Sequence, residues 1–145
     1  CPTSNAPIKE KGLGSGLFNF KVVEKFNIPW ALASDIGGGP YVSMFDVMRS
    51  FVAQNKKKKI TGATYVKALY RSTVAGAEIL KLGAVKGNLT KGKEANFISV
   101  EYPKKATKNT AEEVLAAFIE KYSKKRDQYD SLVSSVYLKG QRVDE

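Results

Sequence analysis

Apolar residues recur at helical spacing along most of the chain. Intervals of three and four residues between apolar positions predict amphipathic helices over residues 17–26, 43–55, 65–80 and about 111–130. Ser43 and Thr61 stand where N-cap residues are expected, and Thr110 with Glu113 forms a capping-box pattern. Gly76 lies inside the third predicted helix and therefore indicates either close packing or a break there.

A different pattern predicts strands. The apolar run over residues 28–34 has strand length and predicts a buried strand, while alternation predicts shorter strands over 96–101, 131–137 and 141–143. A buried strand between helices favours an α/β fold with a parallel sheet.

The predicted strand over 28–34 ends in a carboxylate, Asp35, which Gly37, Gly38 and Gly39 follow. Parallel α/β folds place their chemistry at the carboxyl ends of buried strands. Glycines let a backbone turn sharply and approach a bound group closely. Asp35 is therefore a candidate catalytic residue. The alternative is that it fixes the turn or caps the following helix.

Composition limits the other kinds of function. The 145 residues are 43% hydrophobic and 26% charged, which is typical of one globular domain. The net charge of +10 gives nonspecific attraction to polyanions. Its clearest cluster, Lys56 to Lys59, follows an apolar helix and is interpreted as a solvated helix end, so neither a specific nucleic-acid partner nor a membrane is predicted.

Histidine and cysteine content restricts metal chemistry. The chain has one cysteine and no histidine, which excludes a self-contained Cys/His zinc site and an internal disulfide. A lone cysteine is compatible with a reducing compartment, and we expect a cytoplasmic location. The chain begins with Cys1 instead of Met, which suggests that it is part of a longer protein.

Five short blocks follow one another in an informative order: CPTSN (1–5), GSGLF (14–18), SDIGGG (34–39), ALYRSTVAGAE (68–78) and GNLTKGKEA (87–95). Together they resemble the guanine deaminases, a family of the amidohydrolase superfamily. The resemblance implies the C-terminal portion of a larger enzyme. Residues 1–86 would hold strands 7–8 and the closing helices of a (β/α)8 barrel. Residues 87–145 would form part of a small β-sandwich, with the helix at about 111–130 inserted.

The same resemblance implies a chemistry. Such enzymes hydrolyse guanine to xanthine and ammonia with a metal-activated water. Asp35 would be a zinc ligand and catalytic carboxylate, with Gly37 and Gly38 beside the purine. The histidine ligands would lie upstream of Cys1, so the isolated chain is expected to be inactive. It is expected to associate with itself or with the missing N-terminal portion.

Two alternatives remain open from the sequence. The chain could belong to another amidohydrolase that deaminates or dechlorinates heterocyclic rings. It could also be a noncatalytic, basic binding fragment that retains only the C-terminal piece of the superfamily.

Overall fold

A computed structural model describes residues 17–39, 41–102, 110–121 and 129–144. Within these ranges the chain combines helices with a small sheet. The helices are α1 (Phe20–Lys25), α2 (Met44–Lys57), α3 (Tyr65–Ser72), α4 (Val74–Ile79) and α5 (Ala111–Lys121). The strands are β1 (Phe97–Val100), β2 (Val133–Leu138) and β3 (Gln141–Arg142), and a 3-10 turn at Asp130–Leu132 precedes β2. In the described ranges no helix combines the length and the apolarity required to cross a membrane.

The sheet is antiparallel, with the order β1-β2-β3. Phe97 lies opposite Tyr137, and their rings stack with centroids 4.5 Å apart. Strands β2 and β3 form a hairpin through Lys139 and Gly140, which both have positive φ. The short strands near 97, 133 and 141 are thus confirmed. The predicted parallel arrangement is not found among the strands of the described ranges.

Residues 28–39, here called the Asp35 segment, contain the largest departure from the sequence-based expectation. The predicted strand over 28–34 is wrong for this chain, since no strand is formed at these residues. A strand needs a neighbouring strand to hydrogen-bond with, and the described strands pair only among themselves. Trp30 and Leu32 are buried, whereas Ile28 is 51% exposed, so the segment is buried in part rather than throughout.

Helices α2, α3 and α5, here called the helical core, pack around aromatic side chains. Phe45 of α2 contacts the rings of Phe118 and Tyr129 at centroid distances of 5.2 and 5.3 Å. Phe51 lies between Phe20 and Trp30 at 5.3 and 5.6 Å. The core thus joins α1 and the Asp35 segment to α5, which is distant in sequence.

Several helix boundaries follow from local hydrogen bonds. Ser43 caps α2 by accepting a bond from the amide of Phe45 at 3.3 Å. Thr110 and Glu113 form the predicted capping box, in which the Glu113 amide donates to Thr110 Oγ1 at 3.3 Å and Glu113 Oε2 accepts from the Thr110 amide at 3.1 Å. These two predictions are confirmed.

Other boundaries differ from the prediction. Thr64, not Thr61, caps α3. The predicted helix over 65–80 breaks at Thr73, whose backbone angles (φ −129°, ψ −85°) are not helical, while Gly76 lies within α4. Helix α5 is assigned as far as Lys121, residues 122–128 lie outside the described ranges, and the 3-10 turn at Asp130–Leu132 is not part of the helix.

Candidate active site

Asp35 lies at a sharp turn. Its carbonyl oxygen accepts hydrogen bonds from the amides of Gly38 at 2.9 Å and Gly39 at 2.6 Å. Its own φ of 53° is in the left-handed region, where Asp and Asn are among the few side chains that occur readily. The residue is exposed. The turn therefore presents a carboxylate to the surroundings on a backbone that suits this residue type.

The two glycines proposed to contact substrate belong to the same turn. Gly37 has a φ of 98°, and a Cβ built on it would meet nothing within 4 Å. Glycine is therefore favoured here by the backbone conformation and not by a steric clash. The space beside Gly37, next to Asp35, is open. The structure places Gly37 and Gly38 beside Asp35, as their adjacency in the sequence requires, and a role in substrate contact stays a prediction.

The described residues offer few side chains that could bind a metal together with Asp35. Within the described ranges, no group of three or more His, Cys, Asp or Glu side chains could hold a metal ion. Protein zinc sites use three or four such ligands. Asp35 is thus a single candidate ligand, and the described part of the chain does not form a zinc site by itself.

A cavity of about 690 Å³ lies elsewhere, between α3 and the sheet. Its walls are largely apolar, with Leu69 on the helix side and Phe97, Ile98 and Val136 on the strands. Neither Asp35 nor the glycines of its turn line this cavity. It therefore does not belong to the site that the sequence pointed to.

A buried polar cluster in the helical core was missed by the sequence reasoning. Asp46 is fully buried and accepts hydrogen bonds from Arg49 at 3.2 and 3.3 Å. Burial, followed by the charge of Asp46, raises the pKa of Tyr129 to about 12. Burial also raises the pKa of Tyr65, whose hydroxyl donates to Glu120 at 3.2 Å. In the sequence, this cluster was indicated only by the Asp-x-x-Arg spacing of residues 46–49. Its contacts join helices, as the bond from Tyr65 to Glu120 does, and do not form a second site.

A model of the amidohydrolase family matches residues 1–143. The chain belongs to the amidohydrolase family. Within this family, it is 34% identical over 103 residues to the guanine deaminase of Escherichia coli strain K12, covering 70% of this chain and 22% of that protein.

Solved structures of related proteins agree with this assignment. The E. coli guanine deaminase structure matches 100% of this chain and 32% of its own, with a TM-score of 0.80 and 26% identity. An adenosine deaminase from Xanthomonas campestris with bound zinc matches 98% of this chain and 30% of its own, with a TM-score of 0.73. At 21% identity the latter supports the fold alone. The chain thus spans about a third of the length of these structures.

Proposed function

We propose that this chain is part of a guanine deaminase that hydrolyses guanine to xanthine and ammonia. The observation that carries the proposal is the match to E. coli guanine deaminase, which extends over the whole chain in three dimensions. The sequence identity of 34% to that enzyme over 103 residues supports the same substrate class.

Asp35 is the proposed catalytic residue. Its carboxylate would orient a water molecule and accept a proton from it as the water oxygen forms a bond to C2 of guanine. One proton of that water ends on ring nitrogen N3 and the other on the amino group, whose bond to C2 breaks as ammonia leaves. Gly37 has open space on the side where a Cβ would lie, and we propose that Gly37 and Gly38 let the flat purine approach this carboxylate. The role is supported by the exposure of Asp35 and by its turn.

We propose zinc as the cofactor of the complete enzyme, because the chain belongs to the amidohydrolase family and the resemblance to guanine deaminases implies a metal-activated water. When bound, zinc lowers the pKa of a coordinated water and so supplies a nucleophile near neutral pH. Asp35 would be one of its ligands, and the nitrogen ligands would come from residues that are not part of this chain. The isolated chain is accordingly expected to be inactive.

We propose that residues 1–86 belong to the closing part of a (β/α)8 barrel, with the Asp35 segment, which forms no strand in this chain, at the place of the last barrel strand. Residues 87–145 would contribute to the small β-sandwich, with the helix at about 111–130 as an insertion. Two features support this division: β1, β2 and β3 form one sheet, and α5, between β1 and β2 in sequence, packs on α2 and α3 instead.

Association is expected for a chain with this surface. Ile36, within the Asp35 segment, is 74% exposed, and Phe26, just before it, is 64% exposed. Exposed apolar groups that lie close together favour association. We propose that the isolated chain pairs with itself or with the remaining portion of the enzyme, in a cytoplasmic setting. Light scattering at micromolar concentration would contradict this if it showed a lone monomer.

The function is tested with the full-length enzyme that contains this chain. Ammonia release is measured with guanine, adenine, adenosine and cytosine, and the isolated 145-residue chain is the control. We expect release from guanine by the full-length enzyme alone. Release from another ring but not from guanine would reassign the substrate. Failure on every ring, together with salt-dependent binding of RNA or DNA, would support the noncatalytic alternative.

A further inference from the structure

The Asp35 segment is connected to α3 in a way that neither the family assignment nor the proposed mechanism describes. The amide of Leu32 donates a hydrogen bond to the carbonyl oxygen of Arg71 at 2.9 Å. The guanidinium of the same Arg71 donates to the carbonyl oxygen of Trp30 at 3.1 Å. A single residue of α3 thus binds two backbone groups of the segment, on either side of Ala31.

This pattern resembles one residue of a neighbouring parallel strand. In a parallel pair, one residue accepts from an amide of its neighbour and donates to the carbonyl two residues earlier. Arg71 accepts with its backbone carbonyl but donates with its side chain, because its own amide belongs to a helix. Arg71 therefore provides the segment with one acceptor and one donor, which a paired strand would otherwise provide.

The guanidinium of Arg71 is itself held from two sides. It lies 4.2 Å from the centre of the Trp30 ring, and it donates to the Glu24 carboxylate at 3.3 Å. The side chains of Arg71 and Glu24 are 20% and 27% exposed, so they are largely withdrawn from water. A planar guanidinium with a stacked ring and a carboxylate partner loses little freedom when it binds a third group. Arg71 is thus well fixed at Trp30.

We infer that Arg71 is a positioning residue for Asp35. The guanidinium holds the carbonyl of Trp30, five residues before Asp35, and thereby supports the neighbouring bond of Leu32, which is three residues or about 10 Å of extended chain from Asp35. Together the two bonds limit where the carboxylate can lie along the segment. The inference rests on the proposed function only in that Asp35 must be the catalytic group. Arg71 need not touch the substrate.

Lys67 provides a matched control on the same helix. Its ammonium binds the same Glu24 carboxylate at 2.9 Å and lies 4.8 Å from the centre of the Phe20 ring. Among the described residues, Lys67 donates to Glu24 but, unlike Arg71, donates no hydrogen bond to the Asp35 segment. Replacing either residue removes one cation from Glu24, but only the Arg71 substitution removes the bond to the Trp30 carbonyl.

The experiment compares Arg71→Met and Lys67→Met in the full-length enzyme, with Arg71→Lys as the conservative variant. For Arg71→Met we expect kcat to fall about 10- to 100-fold, the usual range for groups that support a catalytic ligand, with KM within about twofold of wild type. Arg71→Lys should recover part of kcat, and Lys67→Met should stay within about twofold. Equal losses in the two Met variants, or a loss confined to KM, would overturn the inference.

Hydrogen exchange of the peptide that contains Leu32 gives a readout independent of the substrate. We expect faster exchange in Arg71→Met than in Lys67→Met, and equal exchange would also overturn the inference. If the wild-type enzyme does not hydrolyse guanine but hydrolyses another ring, the proposed substrate is wrong. The inference about Arg71 is then tested by comparing kcat of the variants on that other ring. If it acts on none, the exchange comparison decides.

Discussion

The helical core and the Asp35 segment hold their backbones in different ways. In the helical core, the first amides of α3 are bound by side chains within the chain: Glu112 accepts from Tyr65 and Val66 at 2.9 and 2.8 Å, and Thr64 accepts from Lys67 at 3.1 Å. In the Asp35 segment, no strand pairs with residues 28–34 among the described residues, and Ile28 and Ile36 are exposed.

This difference separates stability from chemistry. In the helical core the first amides of α3 have side-chain partners and the rings are buried, so substitutions there should act on the free energy of unfolding. The Asp35 segment carries the candidate carboxylate and owes its position to a few contacts. Substitutions there should act on turnover, with smaller changes in stability.

The largest effect is expected at Asp35. In the full-length enzyme, Asp35→Ala and Asp35→Asn should lower kcat by at least about 10²- to 10⁴-fold, the contribution typical of a positioned acid or base. Asn should also keep the melting temperature, since it tolerates the positive φ of 53°. Ammonia release and thermal unfolding are measured on the same samples.

Glu101→Gln is the control for this prediction, because Glu101 is an exposed carboxylate outside the turn. It should leave kcat within about twofold and unfolding unchanged. Near-wild-type turnover in Asp35→Asn would show that Asp35 is not catalytic. It would also contradict the claim that the Asp35 segment serves the chemistry and the helical core serves stability.

In the helical core, truncation of Phe118 should have the largest effect on stability. Phe118 is 3% exposed and packs against Phe45 and Tyr129. Phe118→Ala should lower the free energy of unfolding by about 3–5 kcal/mol, since it removes a buried ring and leaves a cavity. Urea unfolding measures this, and kcat below the unfolding transition should be near wild type.

Phe26→Ala is the matched ring deletion at an exposed position and should cost less than about 0.5 kcal/mol. If Phe118→Ala lowered kcat as strongly as Asp35→Asn in the folded enzyme, the separation of stability from chemistry would be wrong.

A smaller effect is expected at the start of α3. Glu112 binds the amides of Tyr65 and Val66, so Glu112→Ala removes two charge-assisted bonds at a helix N-terminus. We expect a loss of about 1–2 kcal/mol, with Glu112→Gln intermediate because an amide oxygen can keep one of the bonds. Urea unfolding of both variants checks the order, and a greater loss in Gln than in Ala would contradict it.

The smallest effect concerns acid stability of the sheet. Arg142 and the amide of Val136 bind the Asp144 carboxylate and lower its pKa. The stabilisation is therefore complete above the unfolded pKa of about 3.9 and is lost as the pH falls through the folded value. Asp144→Asn should lower the melting temperature slightly near neutral pH, and this difference should shrink as the pH falls below the unfolded pKa of about 3.9. A constant difference at all pH values would contradict the linkage.

The sequence predicted the features that depend on neighbouring residues. The Ser43 cap and the Thr110–Glu113 capping box involve residues two or three apart and were correct. The sequence also located the turn that contains Asp35, because an apolar run ending in a carboxylate and three glycines is a local signal.

Features that depend on distant residues were missed. Glu112 accepts a hydrogen bond from the amide of Tyr65 across 47 positions, and no local pattern indicates this bond, which adds to the cap at Thr64. The break at Thr73 could not be placed from helix propensity, which favoured Gly76. The apolar run over 28–34 could not become a strand without a neighbour, whatever its β propensity.

The positive φ of Asp35 has an evolutionary consequence. Among residues with a side chain, Asp and Asn fit such a backbone best, and of these only Asp carries a carboxylate. The exchange between them requires a single nucleotide change. If Asp35 has the proposed catalytic role, a gene duplicate could lose activity in one step while its product still folded, whereas a Glu at this position would keep the charge but strain the turn. An Asp35→Asn change would thus remove the carboxylate without disturbing the turn.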